Sequence, residues 1–529
     1  MKKIYHDTRV LDKKARETYQ LTEDIMMENA AAALEKAVMA HAFHPSGRYI
    51  SRPCILILAG SGNNGADGYA LARRVSQHDL SVTVCQVMEP KSPMALLQME
   101  RAKNCGVTFI DLYSLDEYIE GKSFDITVCV DCMLGTGTRL PLPPECEAAI
   151  NSAAALDSID CYKISCDVPT GLDLLGNAGT DYTGKPCVFE CNETVTMGSL
   201  KLSLTSDMAK DRAGKITVAN LGVSSSCYCS TQKPDAFLLE ESELKLPVRT
   251  RQNSNKGTYG HAVLVSGEKP GAARIAATAA LNFGSGLVTL CGIKDCPDPS
   301  LMASMDFPAG TSAIAMGMGL GVENPRLDEY AGFLVENKDI PLVLDADLFK
   351  TRAIKKILDG RCTEEAAMSG SRACVLTPHP KEFSALLANC GFGEYDTRRV
   401  IADRFSLAKE FCTAYRNCTL ILKGATVLIA YWSRKDNDVQ VMFNPWGTAA
   451  LAKAGSGDVL SGLACALLAQ GYDATNAAVT ASLVHALSSR KFESSWSLTP
   501  MELISRIASF NPAKSKSSDQ VAPFISEEP

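Results

Sequence analysis

An aspartate follows closely spaced glycines in the C-terminal half of the chain. The segment reads KAGSGDVLSG over residues 453–462 and opens a long apolar run. Glycines free backbone amides to hold an anion at a helix N-terminus. There Asp458 can take a proton from a substrate hydroxyl while the amides hold the attacked phosphate. The segment therefore predicts phosphoryl transfer, and the alternative is an ordinary helix with an acidic first turn.

Three further loops in this half follow predicted strands. They read GMGLG over 317–321, TPHPKE over 377–382 and KGATV over 423–427. A lone histidine is usually structural, but prolines on both sides of His379 restrict its backbone and fix where the ring points. We therefore expect His379 to contact a ligand, and Lys423 has the spacing of a phosphate-binding residue.

The first half carries a glycine-rich loop, GSGNNGADG over residues 60–68, between a predicted strand and a helix. This is the context of a dinucleotide site. Glu89 also ends the next strand, where a ribose ligand would stand, so a Rossmann dehydrogenase is one interpretation. However, Asn63, Asn64 and Asp67 fill the loop with polar side chains. These better suit a mixed site for a cation or sugar hydroxyls.

Two further strands of this half end in aspartates. DCMLGTGT starts at Asp131 and DVPTGLD starts at Asp167. The carboxyl ends of parallel strands meet in one crevice, so we expect both aspartates to lie near the glycine-rich loop. They are then candidates for a cation ligand and a general base. The structural alternative is that each aspartate caps its own loop.

The overall composition points to a multidomain globular protein that acts on small molecules. A length of 529 residues predicts at least two domains, and 46% apolar with 21% charged residues is ordinary for a soluble protein. We expect neither a membrane span nor a secretory signal. The net charge is 53 − 60 = −7, without a Lys/Arg block, which argues against a nucleic-acid partner.

The 20 cysteines are scattered through apolar runs, as expected of reduced thiols in a cytoplasmic protein. Cys129 and Cys132 have redox or metal spacing, but they fall within an apparent strand, which favours buried structural thiols. With seven histidines and no HxxxH pair, a zinc enzyme is not expected.

Short strands alternate with helices over almost the whole chain, which predicts an α/β fold with mainly parallel, doubly covered sheets. A helical segment over 24–41 precedes the first strand. The predicted strands are 54–58, 81–88, 126–131 and 162–167 in the first half, and 261–266, 287–291, 313–316, 342–345, 374–377 and 419–422 in the second. Predicted helices include 68–77, 94–104, 458–470 and 474–487.

The motifs GSGNNGADG, DCMLGTGTRLP and DVPTGLD together resemble the NAD(P)H-hydrate epimerase domain, over residues 1–225. The resemblance implies a Rossmann-like three-layer αβα domain that interconverts the R and S hydrates. It makes Asp167 the acid/base. Potassium would be bound by Asn64, Asp131 and Thr170. Substrate would be held by Asn63, Asn64, Gly65, Ala66, Asp67, Gly135, Thr136, Gly137, Thr138, Arg139, Leu140, Pro141 and Asp167. Ala66 replaces a glycine of the family, which adds strain if that position needs a positive φ.

With GEKPGAA over 267–273, the motifs of the second half resemble the ADP/ATP-dependent NAD(P)H-hydrate dehydratase, a ribokinase-like α/β fold, over residues 240–508. The resemblance implies that phosphoryl transfer from ADP or ATP activates the ring hydroxyl, with Asp458 as base and magnesium on the phosphates. The hydrate would contact Ala272, Gly319, His379 and Asp458. The adenine nucleotide would contact Lys423, Gly424, Ala425, Thr426, Val427 and Gly457. Lys381 departs from the family's usual glycine.

Residues 226–239 are interpreted as a linker and 509–529 as a disordered tail. The resemblances imply a bifunctional repair enzyme for NADHX and NADPHX, with isomerase and lyase activities. A homo-oligomer is also expected. One alternative is a ribokinase-like vitamin or sugar kinase with an accessory nucleotide-binding domain. Another is a first half that senses nucleotide without turnover.

Overall fold

The computed structural model describes residues 1–43, 53–122, 124–490, 494–510 and 525–527. The chain divides into two compact units. The N-terminal unit comprises Lys3–Asp235 with Val521–Pro529, and the C-terminal unit comprises Met1–Lys2 with Ala236–Gln520. Strands and helices alternate in both, which confirms the predicted α/β class.

The N-terminal unit is built on a parallel sheet. The strands of the unit, inside and outside this sheet, are β1 (Lys2–Tyr5), β2 (Cys54–Ala59), β3 (Ser81–Gln86), β4 (Thr108–Asp111), β5 (Ile126–Cys132), β6 (Tyr162–Cys166), β7 (Gly179–Thr180), β8 (Pro186–Cys187), β9 (Glu193–Met197), β10 (Leu200–Lys201) and β11 (Lys215–Ala219). The main sheet runs β11-β9-β6-β5-β2-β3-β4. Its register places Asp131 beside both Leu58 and Ser165.

Helices cover this sheet. They are α1 (Arg9–Tyr19), α2 (Glu23–Ala42), α3 (Asn63–Val75), α4 (Pro93–Asn104), α5 (Leu115–Lys122), α6 (Pro144–Ala153), α7 (Asp207–Arg212) and α8 (Ser225–Tyr228). Alternate residues of β2 enter two different apolar clusters, Ile57 in one and Leu58 in the other. Both faces of the sheet are therefore buried, as parallel sheets require.

The same alternation explains the paired cysteines. Cys129 packs in one cluster and Cys132 in the opposite one, and both are free and fully buried. Residues three apart on a strand point to opposite faces. These two thiols therefore do not converge on a common ligand.

The C-terminal unit has a second sheet. Its strands are β12 (Ala236–Leu238), β13 (His261–Val265), β14 (Leu287–Cys291), β15 (Met302–Ser304), β16 (Ala313–Met316), β17 (Leu342–Leu344), β18 (Cys374–Leu376), β19 (Cys418–Leu422), β20 (Val427–Ser433) and β21 (Asp438–Asn444). They run in the order β12-β21-β20-β19-β18-β17-β16-β13-β14-β15. The pairings are parallel except that β20 is antiparallel to both β19 and β21.

Its helices are α9 (Pro270–Asn282), α10 (Leu327–Glu336), α11 (Ala353–Arg361), α12 (Glu364–Met368), α13 (Pro380–Cys390), α14 (Thr397–Ala402), α15 (Arg404–Ala414), α16 (Ser456–Ala469), α17 (Ala474–Ser489) and α18 (Pro500–Ala508). Helix α16 is buried along almost all its length. A Cβ on Gly462 would stand 2.1 Å from the carbonyl oxygen of Ala276, so this glycine lets α16 press against α9.

Secondary structure is present in the predicted linker and in the described part of the predicted tail. The segment 226–239 holds part of α8 and all of β12, and its Tyr228 is buried and donates a hydrogen bond to Asp12. In the predicted tail, β22 (Ile525–Glu527) pairs in parallel with β11, whose outer edge offers it backbone hydrogen bonds. Residues 511–524 and 528–529 of the tail lie outside the described residues. The functional labels of these segments remain predictions.

In the described parts of the chain, no helix combines the length and the apolar character that crossing a membrane requires.

Candidate active sites

The three predicted loops of the N-terminal unit meet at Gly135. A Cβ on Gly135 would stand 2.9 Å from Oδ2 of Asp167 and 3.1 Å from Oδ1 of Asn64. Gly60, in the loop before α3, also touches the chain after β5, since its Cβ would lie 1.9 Å from the carbonyl oxygen of Met133. The structure therefore brings together Asn64, Gly135 and Asp167 in one crevice.

The family departure at Ala66 causes no backbone strain. Its amide donates to the carbonyl oxygen of Gly62 at 3.1 Å, within the first turns of α3. Ala66 is fully buried and is not one of the residues with positive φ. A methyl group fits this helical position without cost.

Asp167 follows β6 with a φ of 70°, a left-handed backbone that is uncommon outside glycine. Its Oδ1 lies 2.7 Å from Nζ of Lys201, and its Oδ2 accepts from the amide and the hydroxyl of Thr136, at 3.0 and 2.6 Å. Burial favours the neutral carboxyl, but Lys201 and Thr136 outweigh it and lower the pKa of Asp167. This carboxylate is therefore ionised and fixed in position.

Asp131 is fully buried among hydrogen-bond donors. Its Oδ1 accepts from the Met133 amide and the Thr170 hydroxyl, and its Oδ2 from the Thr170 amide and the Ser165 hydroxyl. Burial raises the pKa of Asp131 to about 6 against these bonds. These contacts agree with the structural alternative, in which Asp131 caps the loop that follows its strand.

The same residues fit a cation. Asp131, Thr170 and Asn64 supply carboxylate, hydroxyl and amide oxygens, which hard cations prefer. The Thr170 hydroxyl lies 2.7 Å from Asp131 and 3.2 Å from the carbonyl oxygen of Leu134, so its hydrogen can turn away and release a lone pair of Asp131. Nδ2 of Asn64 is buried without a protein partner in the described chain. That orphaned amide marks a place for a ligand.

A cavity of about 340 Å³ adjoins this crevice. Asp67 and Asn63 from α3, Asp12 from α1 and Met197 from β9 are among its lining residues. Burial, with Asp167 and Asp12 nearby, raises the pKa of Asp67 well above its ordinary value. Burial also raises the pKa of Asp12. Two carboxyls whose pKa values are raised therefore line the cavity.

The remaining predicted substrate residues form the loop after β5. Thr138 is buried and bonds back to the carbonyl oxygen of Gly135, through its amide at 3.0 Å and its hydroxyl at 2.8 Å. Gly137, Arg139 and Pro141 are exposed, and Leu140 is partly buried. Gly65 is buried, since a Cβ there would lie 2.0 Å from the carbonyl oxygen of Gly60.

In the C-terminal unit, Asp458 lies in the first turn of α16. Its N-cap is Gly455 with a φ of 89°, and glycine has no side chain that could cap the first amides. Burial and the nearby carboxylates of Asp345 and Glu382 raise the pKa of Asp458 to about 6. The N-terminus of α16 thus combines backbone amides that no side chain caps with a carboxylate of raised basicity.

Lys423 joins this helix end to two carboxylates. Its Nζ lies 3.2 Å from Oδ1 of Asp345 and 3.5 Å from Oε2 of Glu382. A Cβ on Gly457 would lie 3.3 Å from the same Nζ. Burial opposes the ammonium, but Asp345 and Glu382 raise the pKa of Lys423. Lys423, Gly457 and Asp458 therefore form one cluster.

His379 is the N-cap of α13 and shares a capping box with Glu382. The Glu382 amide donates to Nδ1 at 3.3 Å, and Nε2 lies 3.1 Å from Oε1 of Glu382. The structural role considered for a lone histidine is thus present, while the ring stays exposed enough to meet a ligand. Burial raises the pKa of Glu382, but His379 and Lys423 prevail and lower it to about 2. The departure at Lys381 is exposed.

Ala272 and Gly319 are also neighbours. Gly319 has a φ of 60°, and a Cβ there would lie 3.1 Å from Cβ of Ala272 and 2.4 Å from the carbonyl oxygen of Lys269. The close approach and the positive φ both require glycine. Ala272 on α9 and Gly319 in the loop after β16 therefore lie side by side.

The loop between β19 and β20 carries the predicted adenine-nucleotide residues. Gly424 and Ala425 are exposed, Val427 is partly buried and Thr426 is buried. The Thr426 carbonyl oxygen accepts from Nη1 of Arg404 at 3.0 Å. Arg404 thus anchors the buried side of this loop, while Gly424 and Ala425 on its other side are exposed to solvent.

Several residues of these sites are absent from the sequence-based prediction. They are Lys201, Asp12, Asp345, Glu382 and His485. Asp345 follows a predicted strand, so the rule that selected Asp131 and Asp167 could have found it. His485 on α17 contacts the carbonyl oxygen of Ser456 at 2.9 Å, and burial lowers its pKa to about 4. No motif around Lys201 or His485 reveals these contacts.

Comparison with known proteins covers both units. Residues 23–203 match the family described as YjeF-related protein N-terminus, and residues 262–509 match the family described as NAD(P)H-hydrate dehydratase. A relative from Helicobacter pylori is 38% identical over 96% of this chain and 99% of its own length. One from Moorella thermoacetica is 28% identical over 90% of this chain and 89% of its own. Both are named bifunctional NAD(P)H-hydrate repair enzyme Nnr.

A solved structure of the ADP/ATP-dependent NAD(P)H-hydrate dehydratase from Bacillus subtilis, co-crystallised with ATP/Mg²⁺, is 26% identical. It covers 50% of this chain and 92% of its own, with a TM-score of 0.40.

Proposed function

The chain belongs to the family of bifunctional NAD(P)H-hydrate repair enzymes, and from this premise we propose that it carries both activities. The N-terminal unit interconverts the R and S hydrates of NADH and NADPH. The C-terminal unit dehydrates the S hydrate at the expense of ADP or ATP. The observation that carries the proposal is that each unit holds a carboxyl whose surroundings shift its pKa, Asp167 in one and Asp458 in the other.

In the epimerase, Asp167 acts as the acid/base while the configuration at the hydroxyl-bearing carbon of the nicotinamide ring is inverted. Its ionised, rigidly held carboxylate supports this role, because a general base must be deprotonated and within reach of its proton. The residues proposed to hold the hydrate are Asn63, Asn64, Gly65, Ala66, Asp67, Gly135, Thr136, Gly137, Thr138, Arg139, Leu140 and Pro141. The exposed members Gly137, Arg139 and Pro141 are available to the phosphate-bearing part.

Asn64, Asp131 and Thr170 are proposed to hold a potassium ion. The carboxylate, hydroxyl and amide oxygens of these three residues support this assignment. When bound, the cation would supply positive charge for the phosphate-bearing substrate. Hydrogen bonds between Thr170 and Asp131 join the loop after β6 to the end of β5, and the amide oxygen of Asn64 stands near Gly135.

In the dehydratase, Asp458 takes the proton from the ring hydroxyl as that oxygen attacks the terminal phosphorus of the nucleotide. The phosphorus–oxygen bond to the leaving nucleotide breaks, and the amides at the start of α16 stabilise the charge on the transferred group. Phosphate then leaves the ring carbon and the neighbouring carbon loses a proton, which regenerates the dihydropyridine. Ala272, Gly319 and His379 are proposed to bind the hydrate beside Asp458.

Lys423, Gly424, Ala425, Thr426, Val427 and Gly457 are proposed to bind the adenine nucleotide. The ammonium of Lys423 beside Gly457 supports a phosphate contact there. Magnesium bound with the nucleotide would neutralise charge that develops on its phosphates during transfer.

A homo-oligomer in the cytoplasm is also proposed. The free, mainly buried cysteines support a reducing compartment.

The proposal is tested by incubating the purified chain with mixed hydrate epimers, with and without ADP or ATP, and resolving the epimers by chromatography. We expect epimer exchange without nucleotide and loss of both epimers with it. A chain that leaves the hydrates unchanged but stably phosphorylates a vitamin or a sugar would instead be the kinase considered above.

A further inference from the structure

Asp67 lines the cavity of the N-terminal unit from the inner side of α3. In the described part of the chain, its hydrogen-bond partner is the thiol of Cys166, 3.9 Å from Oδ2. A thiol is a weak donor, so this contact does little for an ionised carboxylate. Asp67 therefore faces the cavity with little hydrogen bonding to stabilise a negative charge on it.

The charged groups around Asp67 come from several elements. Asp167 stands at the end of β6, Asp12 on α1 and Lys201 on β10, and all three act on the charge of Asp67. Lys201 is already engaged by Oδ1 of Asp167. Arg9, Arg16 and Glu23 also line the cavity, with Arg9 paired to Asp7 and Arg16 to Glu23.

Asp167 lies directly behind the wall of this cavity. Met197 lines the cavity, and its amide donates to Oδ1 of Asp167 at 3.2 Å. The surroundings raise the pKa of Asp67 and lower that of Asp167. Two neighbouring carboxyls pushed in opposite directions form the pattern that separates an acid from a base.

We infer that Asp67 is a catalytic acid of the epimerase, donating its proton to the departing ring hydroxyl while Asp167 accepts a proton from the water that replaces it. The inference rests on the proposed epimerisation and extends the role of Asp67 beyond binding.

Atoms and electrons balance over the exchange. The bond between the ring carbon and its hydroxyl oxygen breaks, the ring nitrogen's lone pair forms a double bond to that carbon, and the oxygen leaves as water with the proton of Asp67. Water then adds to the opposite face of the carbon, and its proton passes to Asp167. Transfer of a proton from Asp167 to Asp67 restores both groups, so one water enters and one leaves.

The test uses the full chain and purified hydrate epimers without nucleotide. We expect Asp67→Asn to lower kcat for exchange by about 100-fold or more, with KM changed less than about threefold. The wild-type rate should fall at alkaline pH as Asp67 loses its proton, and the residual rate of the variant should lack that fall. Asp116→Asn, an exposed carboxyl of α5, is the control and should behave as wild type.

A second measurement does not depend on how the variant folds. In ¹⁸O-labelled water, each wild-type epimerisation should place one solvent oxygen on the ring carbon, above the uncatalysed background. Epimer exchange by the wild type without label incorporation overturns the inference. So does Asp67→Asn if it exchanges epimers within threefold of wild type, or keeps the alkaline fall. A wild type that exchanges no epimers contradicts the proposed function itself, which separates the two failures.

Discussion

The ammonium of Lys201 lies 2.7 Å from Oδ1 of Asp167, and the Lys201 side chain is only 1% exposed. Nζ also donates to the hydroxyl of Thr196 at 3.0 Å and to the carbonyl oxygen of Met197 at 2.8 Å. An ammonium so deeply buried is stable only when its charge and its donors are matched. Lys201 therefore acts as a positioning residue that keeps Asp167 ionised and directed into the crevice.

Replacing Lys201 should change the pH dependence of epimer exchange. In Lys201→Met, burial of Asp167 is no longer offset by the ammonium, so the pKa of Asp167 rises. The base is then protonated over a wider range, and the acid side of the exchange profile should move to higher pH. Epimer exchange measured between pH 4 and 9 checks this. On the acid side, the rate should fall roughly tenfold for each pH unit by which the profile moves.

Lys163→Met is the matched control. Lys163 is also a buried lysine of the N-terminal unit, but its partner is Asp157, away from the crevice. We expect it to lower stability while leaving the acid side of the profile in place. An unmoved profile in Lys201→Met would show that Asp167 does not depend on this ammonium.

Gly135 should not tolerate a side chain. In Gly135→Ala the new Cβ would lie 2.9 Å from Oδ2 of Asp167, so the carboxylate or the loop must shift. Small displacements of a reacting group are costly, and we expect epimer exchange to fall by about 100-fold. Steady-state exchange rates measure the effect. Gly121→Ala, where a Cβ meets nothing within 4 Å, is the control and should keep the wild-type rate. Equal rates in both variants would refute the contact.

Dehydration should depend on pH through Asp458. This carboxyl has its pKa raised to about 6 and acts as a base only when ionised. The kcat/KM for nucleotide-dependent dehydration should therefore be constant above about pH 7 and fall as pH decreases through 6. The assay follows the return of dihydropyridine absorbance in the presence of ADP or ATP. A rate independent of pH between 5 and 7 would argue against Asp458 as the base.

Much of the scaffold could be predicted because its signals are local. Strands such as β2 and β16 are short apolar runs, and the glycines before Asp458 announce α16 in their own sequence. Because the carboxyl ends of parallel strands converge, the sequence predicted that Asp131 and Asp167 lie near the loop that carries Asn64. Strands β20 and β21, and with them the antiparallel pairings of β20, were not predicted from the sequence.

The residues and strands that the sequence did not identify are those whose roles depend on tertiary contacts. Lys201 follows Asp167 by 34 residues and has no motif of its own, so only the fold reveals that its ammonium reaches the carboxylate. Asp345 closes a predicted strand, yet its importance comes from Lys423, which arrives from another strand of the same sheet. The tail strand β22 escaped because its polar context conceals a match with the open edge of β11.

The central claim is that the two reactions occur at separate carboxyls, and Asp167→Asn and Asp458→Asn test it most directly. Each variant is given equal amounts of the two hydrate epimers with ADP or ATP, and both epimers are followed by chromatography. Asp167→Asn should consume the S epimer, and its R epimer should disappear only as fast as it converts to S without catalysis. Asp458→Asn should interconvert the two epimers and consume neither. If Asp167→Asn consumes both epimers as fast as wild type, or Asp458→Asn still dehydrates, the assignment of one reaction to each carboxyl is wrong.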